Sequence, residues 1–135
     1  LNAITLNGGL SVDSVNAVNP TTLTLTSGGI LNQSCTNSLD VQVVAFAATE
    51  GIIHVAAGSS LIITSGLFGS GGVTKDLTGS LTFGQQQYVS GATTVNAGTL
   101  NLQSGATNTL LFNNNLTVNN GGMVDLKNGV SKAAA

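Results

Sequence analysis

Few side chains in this sequence can carry acid, base, nucleophilic or metal-binding chemistry. Asp13, Asp40, Glu50, Asp76 and Asp125 are the carboxylates, His54 is the one imidazole, Cys35 the one thiol, and the three cations are all lysine. Hydrolysis of a glycosidic bond needs two carboxyl groups facing one another across that bond, whereas these are scattered along the chain. Glu50 and His54 stand four residues apart and could meet as an acid–base pair only if a turn intervened. His54 takes the outward position between Ile53 and Val55, where a solvated imidazole is expected. Lys75 and Asp76 read as a surface turn, an exposed pair contributing about 0 to 1 kcal/mol. Cys35 has no second cysteine to bridge and no sequence feature linking it to His54, so a small buried or tolerated thiol is expected rather than a nucleophile. Gly69-Ser70-Gly71-Gly72 has the composition of a phosphate-cradling loop, but no Lys-Ser/Thr pair opens a helix behind it. The calcium-binding nonapeptide roll needs Asp at a fixed place in every repeat, and that is missing too. The expectation is no catalytic residue, no cofactor site and no metal site, in a chain that is not an enzyme.

What would position any of these groups is a repeat. Short alternating stretches such as Ile4-Thr5-Leu6, Leu10-Ser11-Val12, Leu81-Thr82-Phe83 and Leu100-Asn101-Leu102 put apolar residues on one face and Thr, Asn or Ser on the other. Between paired stretches sits a small residue, and Gly8, Gly28, Ser59, Gly79, Gly98 and Gly122 fill that structural turn at intervals of 20, 31, 20, 19 and 24 residues. A spacing near twenty is long for a hairpin and short for a strand–helix–strand unit, so it predicts a coil stacked on copies of itself. Strands of three to five residues cannot bury an apolar face alone, but stacked in parallel they share one core. Asn7-Gly8, Asn120-Gly121 and Asn128-Gly129 suit such corners and are equally strong hairpin signals, so an antiparallel meander is the competing fold. The fold expected is all-β, a parallel β-solenoid of about six coils with little or no helix. Residues 1–135 form a single segment, with 35–48 an inserted or longer coil.

Composition narrows the partners. Charged residues are 6% of the chain and the net charge is −2, with no arginine, which makes binding to a phosphate backbone unfavourable. No apolar run approaches the twenty residues of a membrane-spanning helix. Leu1 and the lack of a signal-peptide pattern suggest a processed chain or a fragment. Two polar clusters stand out. Thr21-Thr22-Leu23-Thr24-Leu25-Thr26 would place alternate threonines in a row, as in ice-binding solenoids, or simply suit the wet face of a strand. Asn113-Asn114-Asn115 with Asn119-Asn120 could form side-chain ladders between coils.

Gly71 to Lys75, then Gly79 to Phe83, Tyr88 to Gly91 and Thr93 to Leu100 follow one another within residues 69–103. That order resembles the passenger-associated transport repeat, or autotransporter-associated β-strand repeat, of bacterial surface proteins: Gly-Gly-Leu-Thr-Lys, a Thr-Leu-Thr-Leu strand, a Tyr-x-Gly turn, then Thr-Thr-Val-Asn-x-Gly-Thr-Leu. Asp76-Leu77 and Gln85-Gln86-Gln87 depart from the pattern in its loops, and Tyr88 to Gly91 carries one extra residue in the turn. The resemblance implies a right-handed parallel β-helix in an exported passenger, outside the cell or on its surface. It also implies a rigid stalk that assists export and supports adhesion, needing no cofactor. Expected partners are flanking coils of the same polypeptide or end-to-end copies of the chain, with a host or surface ligand unidentified, no nucleic acid and no membrane span in this segment. The alternatives are a self-assembling filament subunit and, less favoured, a polysaccharide-active or ice-binding β-helix.

Overall fold

The computed structural model describes residues 1–14, 21–103 and 115–126. Alternation of apolar and hydroxyl or amide residues, broken every few positions by Gly, Asn or Ser, yields sixteen short strands and no helix among those residues. In chain order they are β1 Ala3–Leu6, β2 Ser11–Asp13, β3 Thr22–Thr24, β4 Gly29–Asn32, β5 Thr36–Asp40, β6 Val43–Ala45, β7 Gly51–Val55 and β8 Ser60–Ile63. They continue as β9 Gly66–Gly69, β10 Val73–Asp76, β11 Ser80–Phe83, β12 Tyr88–Val89, β13 Thr93–Val95, β14 Gly98–Leu102, β15 Leu116–Val118 and β16 Gly122–Leu126. Every third strand pairs, always in parallel, so the chain winds around three faces. The first face stacks β1, β4, β7, β10, β13 and β15, the second β2, β5, β8, β11, β14 and β16, the third β3, β6, β9 and β12. No adjacent pair runs antiparallel among the described residues, and the hairpin meander is thereby ruled out.

In-register pairing turns the sequence alternation into columns that run along the axis. On the first face Ile4, Ile30, Ile53, Lys75, Val95 and Val118 lie one above another, pointing inward. On the second face Val12, Leu39, Ile63, Phe83, Leu102 and Leu126 do the same, beside Asn37, Leu61, Leu81, Leu100 and Val124. Leu23, Val44 and Leu67 supply the third wall. The middle rungs are sealed, with Leu39, Ile53, Leu61, Ile63, Leu67 and Leu81 at 0% exposure. Each such side chain contributes about 1.5 to 3 kcal/mol by burial. Where a large ring enters, a missing Cβ makes room: a Cβ on Gly51 would overlap the ring of Phe46, itself fully buried.

The six rungs enclose five turns, so the expected count of about six coils counted rungs rather than the turns between them. Register partners Ala3 and Gly29, Gly29 and Ile52, Gly51 and Val73, Val73 and Thr93, and Thr93 and Leu116 make turns of 26, 23, 22, 20 and 23 residues. Gly8, Ser59, Gly79, Gly98 and Gly122 all fall at the corner from the first face to the second, whereas Gly28 lies at the corner from the third face to the first. The place equivalent to Gly8 and Ser59 in the second rung is held by Ser34 and Cys35, between β4 and β5, so the interval of 31 compares two different corners. Residues 35–48, expected as an inserted or longer coil, supply β5 and β6, each paired with the rung before and the rung after. Asn113, Asn114 and the Asn128-Gly129 turn lie outside the described residues.

Candidate functional site

The concentration of buried polar groups lies at the corner between the first and second faces, where β4, β7, β10 and β13 end and the chain bends. A bend turns carbonyl oxygens inward, and a buried carbonyl without a donor costs about 1 to 3 kcal/mol. Three side chains meet that need. Asn32, fully buried at the end of β4, donates from Nδ2 to Ser59 Oγ at 3.2 Å, Ser60 O at 3.1 Å and Cys35 O at 3.5 Å. Asn37 donates to Asn32 Oδ1 at 2.5 Å and Ser34 O at 2.7 Å, and accepts from the Leu10 amide at 2.5 Å. Lys75 donates from Nζ to the carbonyls of Asp76 at 3.0 Å, Leu77 at 2.5 Å and Ala97 at 2.9 Å.

Lys75 is thus not in a surface turn. β10 continues through Asp76, and the alternation that buries Val73 buries Lys75 two positions on, at 0% exposure. Its aliphatic stem fills the column between Ile53 and Val95. Burial pushes its acidity to about 8 from the ordinary 10.5, with the Asp76 carboxylate pulling the other way, so it carries its proton at neutral pH. A comparable device serves the third face, where fully buried Gln87 accepts from the Leu67 amide at 2.9 Å and donates to Gln85 O at 2.5 Å and Ser65 O at 3.4 Å.

The outer faces carry the remaining candidates. Glu50 and His54 are separated by β7, an extended strand with no turn between them, at about 3.3 Å of rise per residue. Each instead meets the next rung: Glu50 Oε1 accepts from Thr74 Oγ1, and His54 Nδ1 lies 3.4 Å from Asp76 Oδ2. With those two side chains 40% and 35% exposed, the latter contact contributes about 0 to 1 kcal/mol. Asp40 on β5 collects three hydroxyls, Ser38 at 2.7 Å, Ser11 at 2.9 Å and Thr64 at 2.5 Å. Burial acts to raise its pKa, but the bonds from Thr64, Ser38 and Ser11 outweigh it and hold the carboxyl below the ordinary 3.8. Asp13 and Asp40 are register partners on adjacent rungs, whereas Asp125 lies four rungs on from Asp40. Cys35 is a free, exposed thiol at a left-handed corner, φ 61°. Among the described residues no three His, Cys, Asp or Glu side chains converge as a metal site, and no helix is long and apolar enough to cross a membrane.

The threonine row does not extend along the axis. Thr22 and Thr24 point outward from β3, but their register partners are Val43 and Ala45, followed by Gly66 and Phe68. Among the described residues of the Asn cluster, Asn119 Nδ2 donates across rungs to Asn96 Oδ1 at 2.8 Å. Sequence reading missed Lys75, Asn32, Asn37 and Gln87 as corner residues. The signal was present for Lys75, since Val73-Thr74-Lys75 repeats the in-out-in pattern of Thr93-Thr94-Val95. Comparison of the chain with protein-family models, with curated proteins and with solved structures finds no match.

Proposed function

We propose that the chain is a structural stalk or scaffold segment of a secreted or surface-displayed bacterial protein of the autotransporter type, supporting export and adhesion. The observation that carries this reading is the continuity of the ladders: two faces each keep six strands in parallel register over five turns, around inward columns that pass from rung to rung. Such a stack is stiff along its axis, and each new rung finds its template already in place. Ladder contacts that join each turn to its immediate neighbour, 20 to 26 residues away in the sequence, favour folding that advances from one end as the chain emerges. The repeat-like stretch 69–103 supports the assignment by its position, since it begins at the end of β9 and closes after β14, passing through β10 to β13. The test places residues 1–135 between an epitope-bearing export signal and an outer-membrane β-barrel and measures epitope display on intact cells. Deleting 69–103 is expected to abolish most display; display unchanged by the deletion refutes the reading.

A second reading, end-to-end association of copies, is favoured by the sixth rung. There Leu116, Val118, Met123 and Leu126 are 41, 45, 55 and 61% exposed, although Val118 and Leu126 continue inward columns that are sealed in the middle rungs. Such edges pair readily with another chain. Sedimentation velocity over a hundredfold range of concentration separates the readings: growing oligomers support association, and a monomer throughout counts against it.

A further inference from the structure

Among the described residues Lys75 is the one charged side chain that is buried, and it sits in a column otherwise made of Ile and Val. A buried ammonium is costly unless it is fully hydrogen-bonded. Here the bonds are all made by main-chain carbonyls, and they come from two rungs: Asp76 and Leu77 at the corner after β10, Ala97 at the corner after β13. An ammonium has three donors, and the corner offers three acceptors at 2.5 to 3.0 Å.

The backbone gives a second, independent observation. Leu77 holds φ 63°, a left-handed conformation that costs an L-residue about 1 to 2 kcal/mol and is ordinarily left to glycine. In the third rung the corresponding bend uses Gly58 at φ 71°, and Cys35 at φ 61° is the other non-glycine residue at this corner. At both non-glycine bends the left-handed residue's carbonyl is bound by a buried side chain from the preceding strand, Asn32 to Cys35 and Lys75 to Leu77. Strain of this kind persists where surrounding bonds over-determine it.

We propose that the corner between β10 and β11 is a binding site for a primary ammonium ion, which the chain fills with its own Lys75, and that the bound ion fixes the stacking of the fifth rung on the fourth. The site does not depend on the stalk reading. Its ligand class is set by geometry: a cation with three donors on one side and an unbranched apolar tail running back along the column. A quaternary ammonium has no donors, and an alcohol of the same length has neither the charge nor enough donors.

The experiment uses the full chain at pH 7. Lys75→Ala is expected to lower the thermal midpoint, and n-propylammonium chloride to restore it saturably, at concentrations about tenfold below those at which tetramethylammonium chloride or n-propanol has any comparable effect. Equal rescue by n-propanol reduces the site to an apolar cavity and overturns the proposal, as does no rescue by n-propylammonium. Should the alanine variant not fold, Lys75→Met keeps the stem without the ion. Hydrogen exchange of the Asn96 and Thr99 amides, which bond Lys75 O and Gly79 O across the two rungs, is then expected to quicken about tenfold or more. The Ile52 and Ser60 amides, bonded across earlier rungs, should keep their parent rates. Unchanged exchange at Asn96 and Thr99 overturns the proposal.

Discussion

Replacing Asn37 by Leu tests whether the buried corner network stabilises the solenoid, because leucine has the same branched heavy-atom skeleton as asparagine and would continue the Leu61, Leu81 and Leu100 column. The substitution adds about 2 kcal/mol of apolar burial at most. Against that, it removes two donors and one acceptor. The Asn32 Oδ1 atom, on a fully buried residue, loses its donor at about 2 to 3 kcal/mol, and Ser34 O, on a half-buried residue, at about 1 to 2 kcal/mol. The Leu10 amide is on an exposed residue, where water can replace the lost partner at about 0.5 to 1 kcal/mol. Asn37→Leu should therefore destabilise by about 2 to 4 kcal/mol, read by urea unfolding followed by far-ultraviolet circular dichroism. The double variant Asn32→Leu/Asn37→Leu no longer contains the orphaned Asn32 oxygen, so its loss should fall short of the sum of the single losses by about 2 kcal/mol. A neutral Asn37→Leu, or strict additivity of the two, would show that the amides are tolerated rather than used.

Four single positions give further expected outcomes. Thr93 carries a buried hydroxyl without a partner, so Thr93→Val should raise stability by about 1 kcal/mol in the same urea assay. Gly58 has φ 71° with open space around it, and Gly51 faces the Phe46 ring. Gly58→Ala should thus cost about 1 kcal/mol from backbone strain, and Gly51→Ala about 2 to 3 kcal/mol from overpacking, measured by thermal unfolding. Asp40 is held below the ordinary carboxylate value in the folded chain, so below 3.8 the unfolded chain binds the extra proton first. Its contribution is complete above that pH and is lost as pH falls through the lower, folded value; stability measured from about pH 6 to 2 should fall less steeply in Asp40→Asn than in the parent.

The winding was legible because alternation and corner spacing are both local properties. Leu81-Thr82-Phe83 and Leu100-Asn101-Leu102 state which side faces in, and a distance near twenty between turns disfavours a hairpin between them. The corners were harder to assign because a solenoid with three faces has three kinds, and all favour small residues. Gly28 and Gly79 look alike in sequence but bend the chain between different faces. The buried polar side chains were illegible for another reason. A lysine or asparagine in an alternating stretch reads as exposed by type, and only the inward column, set by pairing with strands twenty or more residues away, shows Lys75 beside Ile53 and Asn37 beside Leu61.

Those polar residues bear on a problem particular to stacked coils. Columns of Leu, Ile and Val are nearly interchangeable, so sliding one rung by two residues along its neighbour preserves the inward and outward faces and much of the apolar burial. Buried donors remove that freedom, because each finds its acceptors in one register only. Asn32 ties the second rung to Ser59 and Ser60 in the third, Gln87 ties the fourth back to Leu67 and Ser65 in the third, and Lys75 ties the fourth forward to Ala97 in the fifth. A two-residue slip would leave each of these groups unpaired at about 1 to 3 kcal/mol apiece, more for the ammonium. The apolar columns thus supply most of the cohesion, and the sparse polar residues inside them select which stacking the cohesion acts on.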